Sequence, residues 1–211
     1  MSILKVDTVN EKSTNGNIAV IPTGSGKLVL DGLTWPHADG SAGQIIKSNG
    51  SSVLSFIDAP GLTQSAVQAT TSGTSVTFGS IPAGVKMIIV TFTTVSFSGS
   101  ANIKVQIGDA GGIESSGYIS SAMHVSTDVH VTDSFLMYSQ GQGANAASGS
   151  MICTLQDADN FTWVESVSGG SDGSSHGSTS GGGTKTLSAV LTQVKVSGGT
   201  FDLGKISVVY M

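Results

Sequence analysis

Residues 27–58, KLVLDGLTWPHADGSAGQIIKSNGSSVLSFID, alternate apolar residues with Gly, Asn, Asp and Ser turn signals and never sustain a helical period. The spacing predicts strands at 27–30, 44–47 and 53–57, separated by turns at Asp31-Gly32, Asp39-Gly40 and Asn49-Gly50, residue pairs that tolerate positive φ. Upstream, the same reading gives strands at 2–9 and 18–21 with turns at 13–17 and 22–26. Strands of about four residues are marginal in water as lone hairpins. A segment of this kind cannot close a core by itself; several copies wrapped around one another would supply the missing neighbours. Trp35 and Phe56 are the apolar anchors expected at such an assembly interface.

The pattern changes after the Asp58-Ala-Pro60-Gly61 stretch, which divides the chain into a stem at 1–60, a connector at 61–69 and a second domain at 70–211. In the second domain, longer strands are predicted at 75–78, 86–97, 102–108, 117–120, 122–132, 135–139, 149–156, 161–168, 185–197 and 205–211. Strands at this density between Gly and Ser turns predict a jelly-roll-like antiparallel β-sandwich, so the fold class is all-β. Composition agrees. Val, Ile, Thr and Phe fill short alternating runs, while only 11% of residues are charged, too few for the polar faces of long amphipathic helices. The segment at 168–183, SGGSDGSSHGSTSGGG, has no apolar residue to pin it. It is expected to be a mobile loop whose deletion over 171–180 leaves folding intact. Its functional reading is a receptor-facing tip carrying Ser171, Asp172 and His176.

Charge restricts the partners. All nine basic residues are lysine, the formal net charge is −5, and arginine, the preferred bidentate ligand for phosphate and guanine, is absent. Nucleic acid is not an expected partner. No stretch approaches the roughly 20 apolar residues of a membrane span, so no membrane insertion is expected. The opening residues MSILKVDTVNEK contain no apolar signal region, and synthesis in a cytoplasm without standard export is expected. The single cysteine, Cys153, lies in the alternating run SMICTL and is expected to be a small buried strand residue.

Four motifs with the outline of a chemical site fail on context. PTGSGKL at 22–28 ends on Leu28 where a phosphate-binding loop needs Ser or Thr, has Ile21 in place of the first glycine, and leads into a strand. His124, Ser126, Asp128 and His130 would share one face of a continuous strand, but the imidazoles would then stand ~20 Å apart, too far for one metal. A solvated face is expected. QDADN, with Asp157 and Asp159, has part of a calcium loop without its Gly and terminal Glu, and is expected to be a turn. A Ser-His-Asp triad can be assembled only on paper, since nothing positions His37 or His176 as a base. No catalytic residue, metal ligand or cofactor is assigned.

The strand leading into D-G-L-x-W-P, then A-D-G-x-A and x-x-N-G, resembles a module of marine phage (cyanophage-type) tail fibres and related virion appendages. The second domain is similar, at family level, to a C-terminal domain of phage fibre proteins. The similarity lies in SVTFGSIPAGVKMIIVTF, SGSANIKVQIGDAGGIESSGY and TLSAVLTQVKVSGGTFDLGKISVVY. Met87 stands where family members often carry Arg. The resemblance implies a non-enzymatic, homotrimeric structural protein of the virion, with an interwoven stem that meets other virion proteins. The head loops would meet a host-surface glycan or outer-membrane protein. A capsid-attached head fibre or decoration protein is the alternative. A depolymerising tailspike would be longer and would carry a repetitive parallel β-helix, for which no repeat is present.

Overall fold

A computed structural model describes residues 26–124, 127–138, 145–172 and 177–211. The strands read at 2–9 and 18–21, the turn at 13–17 and most of that at 22–26, together with Ser126 and His176, lie outside the described residues. Two units divide the chain, Met1–Pro60 and Gly61–Met211.

The described part of the first unit is two hairpins. Strands β1 (Val29–Leu30) and β2 (Leu33–Thr34) pair with Val29 opposite Thr34. Their two-residue turn has positive φ at both centres, Asp31 at 50° and Gly32 at 76°, the geometry whose twist matches a hairpin and the reason for an Asp-Gly pair. Strands β3 (Gln44–Ser48) and β4 (Leu54–Asp58) pair with Ile46 opposite Phe56. In the loop between them the Asn49 Oδ1 accepts from the amides of Ser51 (2.8 Å) and Val53 (3.1 Å). The Thr34 amide donates to the Ser52 carbonyl at 2.8 Å, joining one hairpin to the other. No described residue of this unit is fully buried.

The second unit contains fourteen strands among the described residues. They are β5 (Thr63–Gln64), β6 (Gln68–Ala69), β7 (Ser75–Phe78), β8 (Met87–Phe97), β9 (Ile103–Asp109), β10 (Gly112–Ile113) and β11 (Tyr118–His124). After these come β12 (Thr127–Val131), β13 (Phe135–Tyr138), β14 (Ala147–Asp157), β15 (Thr162–Ser171), β16 (Gly177–Thr186), β17 (Gln193–Ser197) and β18 (Phe201–Tyr210). The larger sheet runs β12-β11-β16-β15-β14-β8-β18-β5, with β6 also on β18; the smaller runs β10-β9-β17-β7, with β13 on β9. All these pairings are antiparallel. The chain passes from one sheet to the other at β6–β7, β7–β8, β8–β9, β10–β11, β12–β13, β13–β14, β16–β17 and β17–β18, giving the all-β, sandwich-like fold expected from the turn spacing.

Alternation builds the core. In β8 the residues Ile88, Val90 and Phe92 are buried while Met87, Ile89 and Thr91 are half-buried on the other side. A bulge then re-aims the strand: Thr94 has φ 49° and faces Gly204 at φ 104° on β18, where a Cβ would stand 2.5 Å from the Thr94 oxygen. Beyond it Val95 and Phe97 point inward, and Phe97 stacks on Phe201 at 5.0 Å. Tyr118 meets Phe135 edge-on, also at 5.0 Å.

Three expectations are corrected. The strand read at 122–132 is two strands, because His124 pairs directly with Thr127 across a hairpin. The strand read at 185–197 is also two: β16 ends at Thr186 in the larger sheet, buried Leu187 and Leu191 cross between layers, and β17 joins the smaller sheet. The connector at 61–69, open in sequence between one helical turn and more strand, contributes β5 and β6 to the edge at β18.

The third correction is the largest. The Gly- and Ser-rich segment is not a loop over its described length. Residues 168–171 belong to β15 and 177–183 to β16, paired with each other and with β14 and β11. Small residues are required there because β13 lies across the inner face of this part of the sheet. The Met137 Sδ-methyl carbon would be 2.6 Å from a Cβ at Gly169 and 3.0 Å from one at Gly149. The Thr179 hydroxyl donates to the carbonyls of Met123 (3.1 Å) and Met137 (3.2 Å), and Ser120 Oγ accepts from the Leu136 amide at 3.1 Å. At Gly181 and Gly183 a Cβ would stand 2.4 and 2.6 Å from the carbonyl oxygens of Ser121 and Ile119. What pins the segment is backbone pairing and close approach rather than apolar side chains.

Candidate functional site

The first unit presents apolar side chains on short hairpins. Val29, Leu30, Ile45, Ile46 and Val53 are all more than a third exposed. Trp35 and Phe56, the expected anchors, are half-buried. The Trp35 Nε1 is shielded from water with no hydrogen-bond partner among the described residues, and the Phe56 ring lies so close over Gly40 that a Cβ there would stand 2.6 Å from its Cδ1. The sequence reading named the two aromatic residues and missed the aliphatic ones, whose exposure follows from hairpins only two strands wide.

Ser171 and Asp172 stand at the end of β15. The Asp172 amide donates to the Ala146 carbonyl at 3.1 Å, and its Oδ1 accepts from the Ala146 amide at 3.2 Å. Ser171 Oγ lies 3.3 Å from Nε2 of the buried His124. The two residues therefore close the end of the β14–β15 hairpin.

His124 is also on the opposite face from Asp128 and His130. It lies in the core beside Ala122 and Ser120, whereas Asp128 and His130 are exposed opposite Met123 and Ser121. The one-face reading of these residues fails at the hairpin. No group of three His, Cys, Asp or Glu side chains capable of holding a metal occurs among the described residues. Asp157 forms a turn, its Oδ1 accepting from the amides of Asp159 (2.9 Å) and Asn160 (3.2 Å). Those bonds, led by the one from the Asn160 side chain, hold its carboxyl below the usual range.

A polar cluster unrecognised in the sequence ties β10, β16 and the 187–192 crossing together. Lys185 pairs with Glu114, donates to the Thr186 carbonyl (2.6 Å) and stands 5.5 Å from the centre of the Tyr118 ring. Ser188 donates from its amide to Glu114 Oε1 (2.8 Å) and from its hydroxyl to Asp109 Oδ2 (2.6 Å). The Ser188 bond is the main reason the Asp109 carboxyl lies below its usual range. Burial pushes Glu114 upward, but the bonds from Lys185 and Ser188 outweigh it and leave its carboxyl lowered. With both carboxylates engaged and Lys185 held in an ion pair, the arrangement locks a crossing between sheets.

Glu165 is a second group the sequence did not mark. Trp163, Glu165 and Val167 alternate inward on β15, and Glu165 is 2% exposed, opposite Cys153 and Gly183. Neither of its oxygens has a hydrogen-bond partner among the described residues. Burial pushes its carboxyl up to about 8, so it holds its proton at neutral pH. Cys153 is buried as expected; desolvation, then the nearby Glu165, raises its thiol above the usual range.

Comparison with known proteins yields no matching family model, no matching curated sequence and no matching solved structure. No helix among the described residues is long and apolar enough to cross a membrane.

Proposed function

We propose that this chain is a non-enzymatic structural subunit of a phage virion, a homotrimeric tail fibre or fibre-like appendage that contributes to host adsorption. The observation that carries the reading is the first unit: its described residues bury none of their side chains fully, yet expose five large aliphatic residues on two short hairpins. Surface of that kind calls for covering by further chains. Its motifs are those that resemble the fibre module. The antiparallel pairing of the second unit supports a compact head over the parallel β-helix of a depolymerising tailspike. In this reading the first sixty residues assemble and meet other virion proteins. The second unit faces a host-surface glycan or outer-membrane protein.

Antibody raised against the purified protein tests the assignment by electron microscopy of particles from a host culture producing the chain. Label along tail appendages is the expected result. Label on the capsid would replace the tail fibre by a head fibre or decoration protein, and particles without label would refute the virion assignment.

A further inference from the structure

The outer face of the larger sheet carries one charge over four adjacent strands, Asp157 at the turn end of β14, opposite Thr162. Outward positions are Thr162, Val164, Ser166 and Ser168 on β15, Ser178, Ser180, Gly182 and Thr184 on β16, Ser150, Ile152 and Thr154 on β14, and Ile119, Ser121 and Met123 on β11. Not one is Asp, Glu or Lys. The face also exposes large apolar residues: Ile119 64%, Met123 48%, Val164 41% and Ile152 37%. Cross-strand register puts Ile119, Thr184, Val164 and Thr154 in one row, with Ile152 in the next.

Beyond Asp157 the charge lies at the borders. Asp128 and His130 stand on β12 at one edge, and Lys205 stands on β18 beyond the far side, all exposed. A solvated face of a β-sandwich ordinarily carries interspersed charges that keep long strands from associating. Four strands at ~4.8 Å spacing and about nine residues at ~3.3 Å give roughly 600 Å². With its rim, that approaches the ~800 Å² per partner of a standard specific interface. An uncharged centre and a charged rim is the anatomy of such an interface.

We propose that this face packs against a second copy of the chain, an inference that rests on the trimeric appendage reading and assigns its head-to-head surface. The acidic edge at Asp128 and the basic edge at Lys205 suit a head-to-tail arrangement in which one copy's β12 side meets the next copy's β18 side. Contacts of that heterologous kind close into rings such as trimers.

The test uses the full chain and sedimentation equilibrium on three variants. Val164→Lys and Ser166→Glu each place a charge at the centre of the face on an exposed side chain, and Lys195→Glu changes a charge on the smaller sheet. Far-ultraviolet circular dichroism monitors folding. The expected result is at least a tenfold weaker self-association for both central variants with unchanged spectra, and wild-type mass for Lys195→Glu. Central variants that assemble like a trimeric wild type overturn this face while leaving the trimer standing. A wild type that is monomeric at every concentration overturns the face and the trimer together. If one central variant misfolds, the other carries the same comparison.

Discussion

Replacing Glu165 by Gln should make this protein more stable, and by an amount that grows with pH. The carboxyl is buried without a partner and its proton is held to about pH 8, against 4.5 for an ordinary Glu side chain. Below about pH 4.5 both the folded and the unfolded chain carry the proton, and the group costs nothing differential. Between 4.5 and 8 the unfolded chain releases the proton and the folded chain keeps it, so stability falls as pH rises; above 8 the folded group ionises too and the loss levels off. At ~1.4 kcal/mol per tenfold change in proton affinity, the full gap corresponds to about 5 kcal/mol, and about 3 kcal/mol of it is already lost at pH 7. An amide of the same size never ionises. Urea unfolding of both proteins at one fixed concentration, followed by tryptophan fluorescence from pH 5 to 8.5, should give a flatter profile for Glu165→Gln, with the variant more stable by a few kcal/mol at the alkaline end. Asp109, Glu114, Asp133 and Asp157 have lowered carboxyls. Their stabilisation is present above the ordinary carboxylate range and lost as pH falls through it, outside the measured window. Two parallel profiles would refute the burial argument.

Gly181→Val should destabilise by about 2–3 kcal/mol, since its Cβ would overlap the Ser121 carbonyl oxygen at 2.4 Å; a thermal melt equal to wild type would contradict this. Deleting 171–180 should prevent native folding, because it removes the Thr179 bonds to Met123 and Met137 and four residues of β16. A soluble deletion variant with a cooperative transition near that of wild type would restore the loop reading. Lys185→Met should cost about 2–3 kcal/mol by leaving Glu114 without its ion pair, read as a lower urea midpoint at pH 7.

Much of the architecture is legible in the chain. Alternation marks β8, β14 and β18, and Asp31-Gly32 and Asn49-Gly50 mark the turns of the first unit's hairpins, because period and turn chemistry are local properties. What the sequence conceals is set by distant partners. The segment at 168–183 has the composition of a linker, yet its small side chains are what let β13 lie against it. Glu165 has the position of an inward residue between Trp163 and Val167, and only the sandwich reveals that nothing meets its carboxylate. The His124, Asp128 and His130 pattern obeys strand parity, but the hairpin after His124 reverses the chain and splits the set between core and solvent. Ser171 and Asp172, read as tip residues, are held by His124 and Ala146.

If the exposed apolar hairpins of the first unit are assembly surface, they set the mass of the protein in solution. The most direct measurement is the solution mass of the intact chain by light scattering over a wide concentration range, for wild type and for a variant with Ile45 and Ile46 changed to Ser. The expected result is three times the 21.2 kDa chain mass for wild type, falling toward a single chain in the variant. A wild-type mass of one chain at every concentration would contradict the account.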